Sequence, residues 1–228
     1  MKRLLNCETS DLAAMSRQER LDAIEASEGR VIVQELSLFR NAMMLEPISD
    51  AELACAFGAD LILLNAFDCE YPHVAGIDAE PAETIRTLKR YTGRLIGLNL
   101  EPVGDSAMLG EQESMPSGRA GTVENALRAR DLGFDFILLT GNPGTGVDNT
   151  AILKAVRDMR EALGDDMMIF AGKMHAAGAP LSKYELHNYM DWLIAQVKKT
   201  KGVTVKLNTT VTNADLKAGK YDAVVFAN

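Results

Sequence analysis

Two eight-residue stretches follow one pattern: Gly58-Ala59-Asp60-Leu61-Ile62-Leu63-Leu64-Asn65 and Gly133-Phe134-Asp135-Phe136-Ile137-Leu138-Leu139-Thr140. Each reads glycine, one apolar residue, aspartate, four apolar residues, then a polar one. This pattern constrains the fold more than any other feature of the chain. The glycine permits the left-handed backbone that closes a helix, and the aspartate makes the turn. An unbroken run of four apolar residues is a strand buried on both faces, the mark of a parallel sheet covered by helices. Lys220-Tyr221-Asp222-Ala223-Val224-Val225-Phe226 repeats the pattern loosely.

The rest of the chain fits repeated strand–helix units. An amphipathic opening helix is expected from Asp11 to Ser27, followed by a buried strand over Val31 to Leu36. Ser49-Asp50-Ala51-Glu52 is a capping box, in which the serine oxygen and the glutamate carboxylate each satisfy an orphan N–H, so a helix starts there. Further strands are expected at Leu61 to Asn65, Leu95 to Leu100, Phe136 to Thr140 and Met167 to Ala171. Helices are expected at Pro81–Tyr91, Thr122–Leu132 and Asn149–Leu163. A second capping box, Ser182-Lys183-Tyr184-Glu185, opens a helix with Leu186, Tyr189, Met190, Leu193, Ile194 and Val197 on one face, ending at Gly202. Two more strands, Val203 to Leu207 and Ala223 to Phe226, bring the count to seven. The fold class is α/β: parallel (β/α) units of TIM-barrel type, one strand short of the eight that close such a barrel.

Bulk properties narrow the partners. Apolar residues make up 47% of the 228, enough for one well-buried core. A net charge of −8 argues against a nucleic-acid or anionic-membrane surface, which needs clustered Lys and Arg. No run approaches the roughly 18 apolar residues of a membrane span. Glu8 and Asp11 interrupt the basic N-terminus before a signal sequence could form. Cys7, Cys55 and Cys69 are an odd set without a CxxC pair, so a reduced, cytoplasmic location is expected, with neither disulfide framework nor zinc site. An unclosed barrel leaves strand edges that invite a homo-oligomer.

Composition shifts near residue 176. Residues 1–175 hold 13 Arg and 4 Lys at a net charge of about −11, while residues 176–228 hold no Arg and 7 Lys at about +3. Two domains are therefore expected, 1–175 of barrel type and 176–228 as a strand–helix–strand piece of different origin. Phe57 to Asn65, Leu98-Asn99-Leu100-Glu101-Pro102, Thr140 to Gly146 and Ala171-Gly172-Lys173-Met174-His175 resemble an uncharacterised barrel family labelled phosphoenolpyruvate phosphonomutase-like. That resemblance implies lyase or mutase ancestry. The Lys-Lys-Cys-Gly loop of the true mutases is not found, so no catalytic assignment carries over. Gly172 to Pro180, Tyr189 to Leu193, Val205 to Thr209 and Tyr221 to Asn228 instead resemble a fragment of the nucleotide-binding part of dienoyl-CoA-reductase-like flavin ene-reductases. The glycine fingerprint that would hold a dinucleotide is absent, so neither FAD nor NAD is expected. A junction of two sequences near residues 172–180 follows as a hypothesis, and with it a non-catalytic fusion as the alternative to an enzyme. A reductase fragment is the weakest reading.

In (β/α)-barrels the chemistry sits at the C-terminal strand ends. Those positions hold Glu35, Asn65, Asp68, Asn99, Glu101, Thr140, Asn142, Lys173 and His175. The expected ligand is a small carboxylate or phosphorylated acid. Glu35, Asp68 and Glu101 together could hold a hard ion such as Mg²⁺, with Asp68 and Glu101 as the principal ligands or acid–base groups. Lys173 would contact the anion, and His175 would carry protons near neutral pH. Glu35, Asn65, Asn99, Thr140, Asn142, Gly144 and Gly146 would line the ligand. Thr140 to Asp148 joins a strand to a helix. It is not a P-loop, because Val147-Asp148 stands where Lys-Ser/Thr belongs, and Asp148 as N-cap would compete with an anion for the same donors. An anion site and a capped structural loop both fit. Cys69 is excluded as a nucleophile, since Asp68 and Glu70 beside it raise its pKa. The long polar stretch Gly104 to Gly121 fits either a lid or a disordered crossover.

Overall fold

The computed structural model describes residues 2–40, 42–103, 115–141, 147, 149–172, 192, 194–196 and 198–201. Helices α1 (Thr9–Ala14) and α2 (Arg17–Glu25) precede alternating strands and helices: β1 (Val33–Ser37), α3 (Asp50–Ala56), β2 (Leu61–Asn65), α4 (Thr84–Thr92), β3 (Leu95–Leu100), α5 (Val123–Leu132), β4 (Phe136–Leu139), α6 (Asn149–Leu163) and β5 (Met168–Ala171). The five strands form one all-parallel sheet in the order β1-β2-β3-β4-β5. Sequential parallel strands with a crossover helix between neighbours are the (β/α)-barrel arrangement, here partial. The strands expected at Val203 to Leu207 and Ala223 to Phe226 lie outside the described residues. The chain divides into two compact units, residues 1–105 with 111–173, and residues 106–110 with 174–228. In the second unit the described residues between Trp192 and Lys199 are helical, and Trp192 and Ile194 are exposed.

The repeated glycine–aspartate turn works the same way in both copies. Gly58 (φ +97°) and Gly133 (φ +98°) take the left-handed conformation that ends α3 and α5. Asp60 then accepts the Ile32 N–H through Oδ2 at 2.8 Å, while its own N–H donates to Ile32 O at 2.9 Å. Asp135 does likewise with Ile96, at 2.9 and 2.8 Å. Each aspartate thereby locks its strand's register to the preceding one. Asp135 is nearly fully buried and takes two cations besides, Lys89 at 2.8 Å and Arg20 at 3.0 Å.

Strand alternation sends Ile62, Leu64, Ile96, Leu98, Leu100, Ile137 and Leu139 into the main core with α3 to α6. The opposite face carries Leu61, Leu63, Leu95, Phe136 and Met168, which pack on Leu4, Leu12 and Ala23 of the N-terminal segment. Leu61, Leu95, Phe136 and Met168 are each the first residue of a strand, so α1 and α2 cover this face at the N-terminal end. At the C-terminal end the same face is polar.

Three expectations need correction. The opening helix is two helices, because Ser16 starts a capping box of its own: its hydroxyl accepts from Glu19 N–H and the Glu19 carboxylate accepts from Ser16 N–H. The strand expected to be buried at Val31 to Leu36 is an exposed edge at Val33–Ser37; Val33 is 49% exposed, because β2 is its only neighbour among the described residues. The helix expected at Pro81 opens with a 3₁₀ turn over Pro81–Glu83.

Removing one partner from a buried ionic cluster strands the rest, typically costing about 3–5 kcal/mol. Asp135→Ala should therefore lower stability by that amount in urea unfolding followed by far-ultraviolet circular dichroism. Asp60→Ala, which loses an exposed hydrogen bond, should cost about 1 kcal/mol.

Candidate functional site

Counting along the strands in steps of two puts Glu35, Asn65, Asn99 and Thr140 on one face of the sheet, each at or near the C-terminal end of its strand. Glu35 pairs in register with Leu63, and Asn99 with Leu138. Below them the face is apolar. Gly97 leaves room for the Phe136 ring, which a β-carbon there would strike at 2.1 Å, and Phe136 meets Phe170 edge-on at 5.6 Å.

The polar residues form a hydrogen-bonded row across three strands. Asn99 donates from Nδ2 to Asn65 Oδ1 at 3.2 Å, and Asn65 donates from Nδ2 to Glu35 Oε1 at 2.6 Å. At the β3 end the row stops open: Asn99 is 4% exposed, and its Oδ1 has no hydrogen-bond partner among the described residues. A buried acceptor left unpaired costs about 1–3 kcal/mol, so native structures rarely keep one without a reason.

A second tier lies above the row. Glu101, just past β3 and almost fully buried, takes Arg119 Nη2 at 2.5 Å. The Arg119 guanidinium also sits 4.8 Å from the centre of the Phe39 ring, two residues beyond β1. It thus reaches from the β3 end to Phe39, just past β1, with β2 between these strands in the sheet. Arg119 is 8% exposed and its Nε has no hydrogen-bond partner among the described residues. Among the described residues the rim thus holds an unpaired buried acceptor and an unpaired buried donor of positive charge.

Arg119 was not found from the sequence. It lies between two glycines that the packing requires. A β-carbon on Gly118 would meet Asp68 Oδ1 at 1.8 Å, and one on Gly121 would meet Pro102 N at 2.5 Å. These close approaches let the segment pair with the strand end through Glu101 N–H to Arg119 O (3.0 Å) and Gly121 N–H to Glu101 O (2.8 Å). Asn125 of α5 holds the turn by donating to Ser117 O and Ala120 O at 2.7 and 2.9 Å. The Gly-Arg-Ala-Gly spacing was the available signal. The stretch from Gly104 to Gly121 is therefore neither lid nor disordered at its end: residues 115–121 are packed on the strand ends, and residues 104–114 lie outside the described residues.

Asp68 serves its own loop. Its Oδ1 accepts the Glu70 N–H at 2.8 Å, a local turn bond. It lines a cavity of about 230 Å³ with Arg40, Asp50, Tyr71 and His73. The three carboxylates expected to share a metal have separate partners, Glu35 with Asn65, Asp68 with the Glu70 backbone, and Glu101 with Arg119. No group of three or more His, Cys, Asp or Glu side chains assembles into a metal site among the described residues. Thr140 is half-buried against Gly172. Asn142, Gly144, Gly146, Lys173 and His175 lie outside the described residues. Burial pushes the Cys69 thiol up to about 12, with Asp68 adding to the shift, so it is no nucleophile. Ala66, directly after β2, adopts a positive φ of 65°, a conformation that L residues other than Gly, Asn and Asp seldom take.

A family model matches the chain over residues 5–216. The chain belongs to the family described as domain of unknown function DUF7916. The match includes residues 172–180 and most of the segment expected to have a separate origin, so it gives no support to a junction there. Nor does it support the phosphonomutase or reductase names. No curated protein matches the chain in sequence. Among solved structures, one from Bacillus halodurans C-125, described as an alpha-N-acetylgalactosaminidase candidate, aligns at a TM-score of 0.38 and 11% identity. The alignment covers 75% of the DUF7916 chain but only 57% of that structure, and it carries no argument about activity. No helix among the described residues is long and apolar enough to cross a membrane.

Two outcomes check this geometry. In the folded chain at neutral pH, thiol reagents should modify Cys7 and Cys55, which are half-buried, well before Cys69. Glu70 accepts from the Ser117 hydroxyl and from Arg128, which hold its pKa below the usual carboxylate range. Its stabilising contribution is then complete above about pH 4.3, the unfolded value, and is lost as pH falls through the lower folded value. The urea-midpoint gap between the parent chain and Glu70→Gln should be constant from pH 7 to 5 and close below that.

Proposed function

We propose that this DUF7916 chain binds a small carboxylate or phosphorylated acid at the C-terminal ends of β1 to β4, with Arg119 as the anion contact. One observation carries the reading: a buried guanidinium nitrogen without an acceptor among the described residues, held over the strand ends by a carboxylate and an aromatic ring. A guanidinium is always charged, and its fork of N–H groups suits carboxylate and phosphate oxygens. Glu101 takes one edge of the fork and fixes the plane, so the rest of the guanidinium is oriented before any ligand arrives. Glu101 is in this reading a positioning group, with Asp68 shaping the loop beside it. Lys173, two residues after β5 in the sequence, is proposed as a second anion contact. Turnover by such a site would be of the lyase or mutase kind that the motif resemblance implies.

Thermal unfolding of the whole chain, titrated with inorganic phosphate, acetate, pyruvate, lactate and phosphoglycolate, tests the proposal. A ligand at a hundred times its dissociation constant stabilises by about 2.7 kcal/mol, which moves the midpoint by several degrees. Arg119→Lys keeps the charge beside Glu101 but removes Nε and the fork, and should abolish the shift while the chain stays folded. An unmoved midpoint with every acid, or an equal shift in Arg119→Lys, would refute the proposal.

A further inference from the structure

The Glu35–Asn65–Asn99 row fixes more than its own shape. An ionised carboxylate only accepts hydrogen bonds, whereas a side-chain amide presents a donor on one side and an acceptor on the other. Glu35 therefore compels Asn65 to turn its Nδ2 outward to β1, which leaves Oδ1 toward β3. Asn65 Oδ1 in turn compels Asn99 to offer Nδ2, as the two bonds of 2.6 and 3.2 Å record. The remaining Asn99 atom at the rim must then be Oδ1, the buried acceptor without a partner among the described residues. Reversing either amide would set two acceptors face to face. The row acts as a polarity relay: a charge on β1 determines that β3 presents an acceptor.

We infer that the ligand of this rim carries a hydroxyl beside its acid group, selected by Asn99 Oδ1, and that Glu35 sets this preference from two strands away without touching the ligand. The inference rests on the reading of the rim as an acid site. Asn99 and Glu101 are two residues apart on the same face, about 6.6 Å along the strand, so the acceptor and the arginine that Glu101 holds belong to one stretch of the rim. A keto acid of the same size would place a second acceptor against Asn99 Oδ1 and leave it unpaired. Sites built to bond a hydroxyl discriminate strongly against analogues that lack it. Glu35 is solvent-exposed on an edge strand, so replacing it does not empty the core.

Matched pairs test the relay: lactate against pyruvate, and glycolate against glyoxylate, by calorimetric titration of the full chain. The parent chain should favour the hydroxy acid at least tenfold. Glu35→Gln, whose amide can either donate or accept, lets both asparagines turn over, and the preference should fall below threefold. Glu35→Asp keeps an acceptor-only group and should restore part of it. Urea midpoints of both variants establish that they are folded. Acids that bind with no hydroxyl preference, or a preference unchanged in Glu35→Gln, would overturn the relay and leave the acid site standing. If none of the four acids binds, the acid-site reading falls and takes the relay's role with it.

Discussion

The buried ion pair between Glu101 and Arg119 is the contact on which the candidate site depends. Two charges taken out of water at a strand end are costly unless each satisfies the other. Once formed, the pair dictates what surrounds it. Gly118 and Gly121 must lack side chains so that the turn can come down on the strand ends, and Asn125 must hold the turn's carbonyls. Phe39 completes the seat by offering its ring face to the guanidinium. A single arginine is thus held from three directions, and its Nε has no acceptor among the described residues. A fixed charge with an unpaired donor is the kind of preorganised group that an anionic ligand would complete.

The sheet makes this possible by dividing its two faces. Across β2 to β5 one face is apolar and packs on the crossover helices. The other is apolar only at the N-terminal end, where α1 and α2 cover Leu61, Leu95, Phe136 and Met168. The polar row of Glu35, Asn65 and Asn99 lies at the far end, beyond Phe136. Its members are hydrogen-bonded to one another, so it keeps a direction as well as a position. The positive φ of Ala66, where β2 ends, belongs to the same region; backbone strain of this kind gathers where a fold holds residues for use.

Much of this architecture was legible before any coordinates. The Leu61–Asn65 and Leu95–Leu100 strands and the helix of residues 149–163 have the expected bounds, because a parallel strand buried on both faces and a long amphipathic helix each leave an unbroken local pattern. The Ser49 capping box and both glycine–aspartate turns formed as read, since caps and turns are settled by residues within four or five positions. The strand-end rule likewise placed Glu35, Asn65 and Asn99 on one rim. Local signals failed where distance along the chain mattered. The exposure of β1 depends on which strands stand beside it, and the retirement of Asp68 into its own loop depends on how that loop folds.

What the sequence alone determined is therefore the alternation of strands and helices, their caps and the parallel character of the sheet, all written in short-range spacing of apolar, glycine and aspartate residues. Only the tertiary structure decided that Arg119 reaches from Glu101 to Phe39, and that Asn99 ends the polar row with an oxygen unpaired among the described residues. Those contacts join residues 18, 34 and 80 positions apart. Their partners are chosen by strand register and by the close approach of one glycine turn, and neither leaves a mark in the neighbouring sequence.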